Sequence, residues 1–336
     1  MNVLVTAIGG DLGQGVLKSL RLLKYKPRIV GTDITPTAPG LFLADKGYVV
    51  EPVTNEKKFL WQIVKICRKE KIDIVFVCFE KEQFLIAAHL GDLALQTKAY
   101  FLVQPYSVLK MCQNKLKLYR FLARHGVRIP ATAATKPEAG KLIRKFAFPL
   151  VIKSRRGSGS RSFRLINSKR EFGWWWRNTE YPILQEHIAN RNGDEFTVGV
   201  FLDKKARALG SIAMKRELKG GVTIHAIVDE FPRIEALAAG TAEAIGAIGP
   251  CNVQIRMDKN NQPCIIEVNA RISGTAIFRS KLGFNEAGAA IDYFMFNKRP
   301  QLRTRKAVVM KIWDELIIDP KKYEFLKRRG YLSAGK

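Results

Sequence analysis

The first hundred residues alternate between short apolar runs and segments whose apolar residues recur at helical spacing. Clear apolar runs occupy Asn2–Ile8, Arg28–Asp33 and Ile72–Cys78, and helical patterns occupy Asp11–Lys24 and Lys57–Lys71. Strands that are apolar throughout are typical of a parallel sheet covered by helices on both faces. The sequence therefore predicts a Rossmann-like α/β domain with a parallel sheet in this part of the chain.

The pattern changes after about Tyr106. Two later segments, Glu195–Leu202 and Ala206–Lys215, alternate apolar and polar residues in the manner of antiparallel strands. Two more, Asn252–Met257 and Pro263–Val268, are separated by a short polar turn. The second half of the chain is therefore predicted to be mixed α+β structure.

The charge of the chain is strongly one-sided. Its 57 Lys and Arg residues against 30 Asp and Glu residues give a formal net charge of +27, while hydrophobic residues make up 47% of the 336. That apolar content excludes a disordered basic tail protein, which would be poor in apolar residues. The positive excess favours a polyanionic partner: nucleic acid, an acidic polysaccharide, an anionic membrane surface or a phosphorylated substrate.

The cysteines and the apolar runs bear on the cellular compartment. The five cysteines are scattered, with no CxxC pair and no Cys/His cluster, so neither a disulfide framework nor a zinc site is supported. No apolar run approaches the roughly 20 residues of a membrane span, and no signal-peptide pattern is found. We therefore expect a cytoplasmic protein without a transmembrane segment.

The first of two glycine clusters is Gly9–Gly15, between a predicted strand and a predicted helix. Asp33 ends the next strand, and in that context glycines can approach a pyrophosphate while an acid takes a ribose hydroxyl. The spacing, however, is GGxxGxG rather than GxGxxG. Nucleotide binding and a tight turn that only permits close packing both fit the cluster.

The second glycine cluster follows the predicted strand Phe148–Lys153. Small residues and arginines fill the loop from Ser154 to Arg161, so backbone N–H groups can cradle phosphates. Lys153 and the arginines supply compensating positive charge. The alternative is a hairpin loop that carries a run of solvated charges.

A carboxylate lies in an apolar context further along the chain. Glu267 is flanked by apolar residues, and Asn269, two positions on, points to the same side of a strand. A buried carboxylate needs a partner, and Mg²⁺ prefers oxygen ligands such as these and Gln254. Arg271 can neutralise charge on a transferred phosphoryl group. A structural Glu–Arg ion pair is the alternative.

Six short motifs follow one another along the chain: Asn114–Lys115, Val151–Lys153 with its glycine loop, Gln185–Ile188, Gly193–Val198, Asn252–Gln254 and Glu267–Gly274. Their order and spacing resemble the ATP-grasp superfamily over roughly Val3–Asn297. The similarity is to single-module relatives of the carbamoyl-phosphate-synthase large chain and to the ligase of pyrrolysine biosynthesis. It implies a Rossmann-like domain at 1–105, a small lobe at 106–188, a large lobe at 189–300 and a basic C-terminal segment at 301–336.

The resemblance also implies that ATP lies between the two lobes. Lys115 and Lys153 would contact its phosphates. The phosphate loop would fold over them through Arg155, Gly157, Ser158, Gly159 and Ser160. The segment between the lobes would contact the adenine edge through Glu186, His187 and Ile188. Glu195 would bind the ribose hydroxyls.

The same resemblance implies a metal site and the catalytic groups. Glu267, Asn269 and Gln254 would ligate Mg²⁺, with Mn²⁺ as an alternative. Arg271 would stabilise an acyl-phosphate intermediate. Lys215 would stand at a basic strand end beside the phosphates or the carboxylate, together with Arg216.

The implied function is an ATP-dependent carboxylate–amine ligase that releases ADP and phosphate. Its substrates would be small molecules, one of them anionic. The charge motivates a second hypothesis, a nucleic-acid- or polyanion-binding protein whose catalysis is lost or repurposed, but the complete metal set disfavours it. An NAD-dependent oxidoreductase would leave the second half unexplained. The oligomeric state stays open, with a dimer among the alternatives.

Two further features have more than one interpretation. The run Trp174–Trp176 can stack on a sugar or a base, but consecutive residues do not share a helix face, so packing is favoured for part of it. Glu82 follows a strand end, where α/β sheets bind ligands. A substrate contact and a helix N-terminal acid fit Glu82 equally well.

Overall fold

The computed structural model describes residues 1–156, 163–189 and 194–333. Five parallel strands open the chain and pair in the order β3-β2-β1-β4-β5, with helices on both faces. The Rossmann-like parallel sheet expected from the sequence is thereby confirmed. The strands are β1 Asn2–Val5, β2 Arg28–Asp33, β3 Lys46–Val49, β4 Ile74–Phe76 and β5 Tyr100–Leu102; the helices are α1 Asp11–Arg21, α2 Pro39–Leu43, α3 Glu56–Lys69, α4 Glu80–Ala88 and α5 Leu90–Gln96.

A four-stranded antiparallel sheet forms the small lobe, in the order β6-β9-β7-β8. Helices α8 and α9 contribute to one apolar cluster on this sheet, whereas α7 contributes Leu118 and Leu122 to the core of the large lobe. The elements are α6 Tyr106–Gln113, α7 Lys115–Arg124, β6 Thr132–Ala133, α8 Lys136–Phe146, β7 Leu150–Ser154, β8 Arg164–Ile166, α9 Lys169–Asn178 and β9 Pro182–Glu186.

The large lobe is built on a six-stranded antiparallel sheet, in the order β14-β13-β10-β11-β12-β15. Helix α10 packs on one face, against β10, β11 and β13. A π-helical turn at Ile291–Met295 follows α12. The elements are β10 Glu195–Leu202, β11 Ala208–Lys219, β12 Val222–Val228, α10 Pro232–Ala244, β13 Gly249–Met257, β14 Pro263–Asn269, α11 Ala276–Lys281, α12 Glu286–Ala290 and β15 Ala307–Met310.

One hydrophobic core joins the first domain to the large lobe. Val3 and Val16 from the parallel-sheet domain share it with Met214 and Phe284. Helix α1 packs on α11 and α12, and the Ser280 hydroxyl on α11 donates to the Ser19 hydroxyl at 2.8 Å. This shared core positions the carboxyl ends of the parallel strands next to the large lobe.

The basic C-terminal segment, whose structure the sequence left open, contributes to both large sheets. Strand β15 forms the edge of the large-lobe sheet. The chain then forms α13 (Pro320–Arg329) and β16 (Tyr331–Ser333), and β16 pairs antiparallel with β3. Leu326 of α13 is fully buried in the shared core. Within the described ranges, no helix is both long and apolar enough to cross a membrane.

Candidate active site

A cavity of about 350 Å³ lies between the small lobe and the large lobe. Its walls come from strands of both lobes and from the start of α1. Most of the side chains expected at the site meet here. The sequence-predicted site residues that line the cavity are Lys115, Lys153, Glu186, Ile188, Glu195, Gln254, Glu267, Asn269 and Arg271.

A row of oxygen-bearing side chains forms one wall. Strands β13 and β14 pair so that Gln254 stands opposite Glu267 and Asn252 opposite Asn269. Because side chains alternate along a strand, all four residues point into the cavity. The Glu267 carboxylate and the Gln254 and Asn269 amide oxygens form a donor set that suits a hard cation such as Mg²⁺. Within the described ranges, no group of three or more His, Cys, Asp and Glu could hold a metal.

Two lysines face this wall. The Lys153 ammonium donates to the Tyr119 hydroxyl at 3.1 Å, and that hydroxyl donates to the Ile266 carbonyl of β14 at 2.5 Å. Burial lowers the pKa of Lys153 to about 8, although the Glu267 carboxylate opposes the shift. Burial likewise lowers the pKa of Lys115, and Glu267 again opposes it. Both ammonium groups therefore lie within the electrostatic reach of the same carboxylate.

Arg271 lies at the end of β14, between this wall and the parallel-sheet domain. Its guanidinium donates to the Ile272 carbonyl at 3.1 Å and to the Asn269 side chain at 3.4 Å. Burial lowers the pKa of Arg271, with the nearby Glu267 carboxylate acting in the opposite direction. A buried cation next to the oxygen row can meet negative charge on a bound group.

Glu195 is already engaged by two arginines. Its carboxylate accepts from Arg216 at 2.5 Å and from Arg256 at 2.7 Å. Burial acts to raise the pKa of Glu195, but the two guanidinium groups outweigh burial, so the pKa is lowered. The family resemblance implied that Glu195 binds the ribose hydroxyls. In the structure its carboxylate holds two cavity-lining arginines in place.

Three expected residues do not line the cavity. Lys215 precedes Arg216 on β11, so its side chain points to the other face, where it pairs with Asp194 at 2.6 Å. Arg155 packs its guanidinium over the Tyr181 ring at 5.1 Å, and its carbonyl accepts from the Lys115 amide at 2.9 Å. His187 adjoins the lining residues; burial, and then Arg256, lower its pKa. Gly157, Ser158, Gly159 and Ser160 lie outside the described residues.

A buried ion pair behind the oxygen row was not predicted. The Arg279 guanidinium pairs with Glu286 at 3.2 Å and donates to the Asn252 side chain at 2.5 Å. It also donates to the Thr197 hydroxyl at 3.2 Å, and both members of the pair are fully buried. The pair therefore fixes the orientation of Asn252. The signal available in the sequence was an arginine directly after the apolar run Ala276–Phe278 and an acid seven residues later.

The first glycine cluster forms a tight turn. The Asp33 carboxylate accepts from the Gly9 amide at 2.9 Å and from the Ile34 amide at 2.8 Å. A Cβ added at Gly13 would lie 2.4 Å from the Ala7 carbonyl oxygen. Of the two interpretations left open above, close packing is the one that this geometry favours.

Glu82 lies at the carboxyl end of the parallel sheet. It is buried on α4, and its Oε2 atom has no hydrogen-bond partner in the described part of the chain. Burial raises the pKa of Glu82 to about 7, with the Thr6 hydroxyl opposing the shift. A carboxylate in this state can accept a donor from a ligand.

Two protein families match consecutive parts of the chain. Residues 112–275 match the ATP-grasp domain, and residues 4–96 match the PylC-like N-terminal domain. The chain is 24% identical over 291 residues to the carbamoyl phosphate synthase large chain of Pyrococcus furiosus, an alignment that covers 80% of this chain. That alignment covers 27% of the relative, so the chain spans about a quarter of the length of such curated relatives.

Solved structures of similar fold agree with these families. The N5-carboxyaminoimidazole synthetase of Staphylococcus aureus complexed with ADP superposes with a TM-score of 0.71 at 18% identity, covering 93% of this chain and 82% of that one. A Campylobacter jejuni biotin carboxylase in a β-γ-ATP complex gives 0.69 at 16% identity, covering 86% and 70%. This chain therefore contains an ATP-grasp domain at 112–275, preceded by a PylC-like N-terminal domain at 4–96.

Proposed function

We propose that this chain is an ATP-dependent ligase that activates a carboxylate and joins it to an amine or a similar nucleophile. The observation that carries the proposal is the interlobe cavity, in which two partly buried lysines face a carboxylate-and-amide row with Arg271 at its end. These residues come from separate parts of the sequence, and the fold brings them together around one cavity. ATP would occupy this cavity, between the lobes at 106–188 and 189–300.

The proposed reaction has two steps. An oxygen of the substrate carboxylate attacks the γ-phosphorus of ATP, so that the bond to ADP breaks and an acyl phosphate forms. The amine nitrogen then attacks the acyl carbon, phosphate leaves, and the nitrogen loses a proton. Because both steps move negative charge, the protein mainly has to position the reactants and exclude water.

The cavity residues fit these tasks. Lys115 and Lys153 would hold the phosphates, and Arg271 would meet the charge that builds on the transferred phosphoryl group. The ribose and adenine would lie toward Glu186 and Ile188. The fixed arginines around Glu195 add positive charge, which suits an anionic substrate.

The oxygen row is the proposed metal site. Glu267, Asn269 and Gln254 would hold Mg²⁺, or Mn²⁺ in its place, because all three supply the oxygen donors that such ions prefer. When bound, the ion would neutralise charge on the phosphates. With a single carboxylate in the set, the site would bind the ion together with nucleotide rather than alone.

The second substrate would lie at the carboxyl end of the parallel sheet. Arg271 adjoins both the cavity and this sheet edge, where the unpartnered Glu82 oxygen lies buried. Ligands of open α/β sheets bind at this end of the strands. All five cysteines are free thiols, which fits the cytoplasmic location that we infer.

Phosphate release tests the proposal. Wild-type protein with Mg-ATP is screened against pools of carboxylates and amines, and one combination is expected to stimulate release. Glu267→Gln should lower the stimulated rate by about 10²-fold or more while circular dichroism and thermal midpoint stay unchanged. Glu180→Gln, on the surface of the small lobe, is the matched control and should retain the rate.

Two results would contradict the proposal. One is wild-type protein that binds ATP but shows no stimulation by any pool. The other is a Glu267→Gln variant that turns over at the wild-type rate, which would remove this carboxylate from the chemistry.

Polyanion binding is a second candidate function, and the outer surface of the small lobe favours it. Arg170, Trp174 and Arg177 follow the i, i+4, i+7 stripe of α9, and all three are exposed. On α8, Lys141 and Arg144 add exposed charge. Tight oligonucleotide binding near 150 mM salt that an Arg170→Glu/Arg177→Glu variant abolishes would support it. Absence of binding at that salt concentration would dismiss it.

A further inference from the structure

Strand β15 leaves apolar surface uncovered at the edge of the large-lobe sheet. Met310 is 70% exposed and Ile312, just beyond the strand, is 84% exposed. Val308 and Trp313 are exposed as well, and Ile227, which pairs with Val308 on β12, lies beside them. Exposed apolar residues that are contiguous across two strands and a loop mark an interaction surface rather than ordinary scatter.

The backbone of β15 is also available on its outer side. Its register pairs Val309 with Ala226, and the Lys311 amide donates to the Ile224 carbonyl at 2.8 Å. Because bonding directions alternate along an antiparallel strand, the amides of Val308 and Met310 point away from β12. No strand pairs with that side in the part of the chain that the structure describes. Such an edge is a template for another strand.

The charges around β15 have a self-complementary order. Arg303 and Arg305 precede the apolar strand, whereas Asp314 and Glu315 follow it. If two copies pair antiparallel about Met310, then Arg305 of one copy stands opposite Glu315 of the other, and Lys306 stands opposite Asp314. A two-fold axis repeats every contact, so basic residues meet acidic residues at both ends.

The same centre satisfies the hydrogen bonds. With Met310 on the axis, the Met310 residues of the two copies stand opposite each other. The Met310 amide points outward, so the two copies can exchange both backbone bonds at this residue. Charge order and bonding direction are thus both satisfied in this register.

We propose that two copies of this chain dimerise by antiparallel pairing of β15 about a two-fold axis at Met310, so that the two large-lobe sheets become continuous. An anionic membrane would attract the basic chain as a whole. It would, however, repel Asp314 and Glu315, which directly follow the exposed Trp313, so a second copy fits better. The proposal rests on the sheet edge alone and does not depend on the chemistry of the cavity.

Sedimentation equilibrium of the full chain at about 150 mM salt, where surface charges more than about 8 Å apart are screened, is the test. Wild-type protein is expected to be dimeric at micromolar concentrations. Met310→Lys should weaken association about tenfold or more, because it places a charge in the centre of the interface. Leu95→Lys, at an 89% exposed site on α5, is the matched control and should leave association unchanged.

Charge exchange tests the register. One variant carries Asp314→Arg and Glu315→Arg, so both ends are basic; another carries Arg305→Glu and Lys306→Glu, so both ends are acidic. Each alone should be monomeric, and an equimolar mixture should recover a dimer. Monomeric wild-type protein, a dimer insensitive to Met310→Lys, or a mixture that stays monomeric would overturn the proposal. The proposal would also be overturned if the wild-type protein were monomeric and floated with anionic vesicles, and if Met310→Lys abolished that flotation.

Discussion

At the scale of single residues, burial does the most to set the chemistry of the cleft. Lys153 and Glu82 are both carried into the interior by their backbone elements, and each has a pKa moved toward neutrality by desolvation. The pKa of the Lys153 ammonium is lowered, and the pKa of the Glu82 carboxyl group is raised. Groups in this state respond to small changes of environment, which is typical of functional sites.

The lowered pKa of Lys153 predicts a pH dependence of nucleotide binding. Below pH 8 the ammonium is charged before ADP arrives, whereas above pH 8 binding must take up a proton. We expect ADP affinity to fall above that pH, approaching about tenfold per pH unit, by calorimetry. Lys153→Arg should remove the slope because a guanidinium stays charged. Lys136→Arg, on the surface of α8, should keep it, and an unchanged slope in both variants would refute the assignment.

The buried carboxylate of Glu82, whose Oε2 atom has no hydrogen-bond partner among the described residues, predicts a trade-off between stability and function. Its folded pKa of about 7 lies above the unfolded value, so its cost to stability grows as pH rises from about 4.5 to 7 and is complete above 7. Glu82→Gln should raise the free energy of unfolding by about 1–3 kcal/mol at pH 8 and by little at pH 5. Urea unfolding at the two pH values checks this, with Glu56→Gln on α3 as control.

The effect of Glu82 on function is measured with the substrates found in the phosphate-release screen. Glu82→Gln should raise the KM for one of them while ADP affinity stays constant. Equal stabilisation at both pH values, or an unaltered KM for both substrates, would argue for a helix N-terminal acid instead.

The residues of the site were predictable where chemistry and spacing coincide. Glu267 and Asn269, two apart on one strand, could be placed on one face from their spacing alone. Lys215 shows the limit of such predictions, because neighbouring residues of a strand point to opposite faces. Arg216, one position further on, lines the cavity, whereas Lys215 points away from it and pairs with Asp194. Arg279 and Glu286 act from behind the wall, and no local pattern signals a contact between distant elements.

At the scale of elements, β10 carries the tightest constraint. It runs through the centre of the large-lobe sheet and is buried over its whole length. At Gly199 the Arg279 side chain crosses it so closely that an added Cβ would lie 2.4 Å from the guanidinium nitrogen. Glycine is therefore required here by the approach of a side chain.

Gly199→Ala should consequently destabilise the protein by about 1–3 kcal/mol, because the buried Arg279–Glu286 pair has no room to shift. Gly140→Ala makes the same change within α8, where the added Cβ meets nothing closer than 3.8 Å. It should stabilise by about 0.5–1 kcal/mol through helix propensity. Urea unfolding midpoints compare the two. Effects of the same sign would show that the close approach is not what constrains Gly199.

The elements themselves were predictable in proportion to their pattern. The range Glu195–Leu202 was recovered with its bounds, since a long apolar-rich run has one interpretation. Strand β12 was not predicted; it directly follows Gly220 and Gly221, which adopt positive φ in the turn. Helix α9, which contains Trp174–Trp176, was not predicted either.

At the scale of the whole molecule, the C-terminal segment ties the two large sheets together. It leaves the large lobe at β15 and reaches the parallel sheet at β16, with Leu326 buried between. This return could not be read from residues 299–336, where charged residues dominate the pattern. The parallel domain and the antiparallel lobes, by contrast, followed from the alternation of strands and helices.

Leu326→Ala should lower the free energy of unfolding by about 2–5 kcal/mol, because it empties a site in the shared core. Lys327→Ala, on the exposed side of α13, should change it by less than about 0.5 kcal/mol. Denaturant titration gives the stabilities, and hydrogen exchange should show lost protection in β3. Full protection of β3 in the Leu326→Ala variant would mean that α13 does not hold β16 in place.

The pairing of β16 with β3 also sets an order of events during synthesis. Strand β3 leaves the ribosome early, whereas its antiparallel neighbour is among the last described residues to be made. At about 5–20 residues per second, the outer edge of β3 waits roughly tens of seconds for that neighbour. During this interval the nascent chain presents an unpaired strand to the cell, so the parallel-sheet domain emerges before the two lobes and is completed after them.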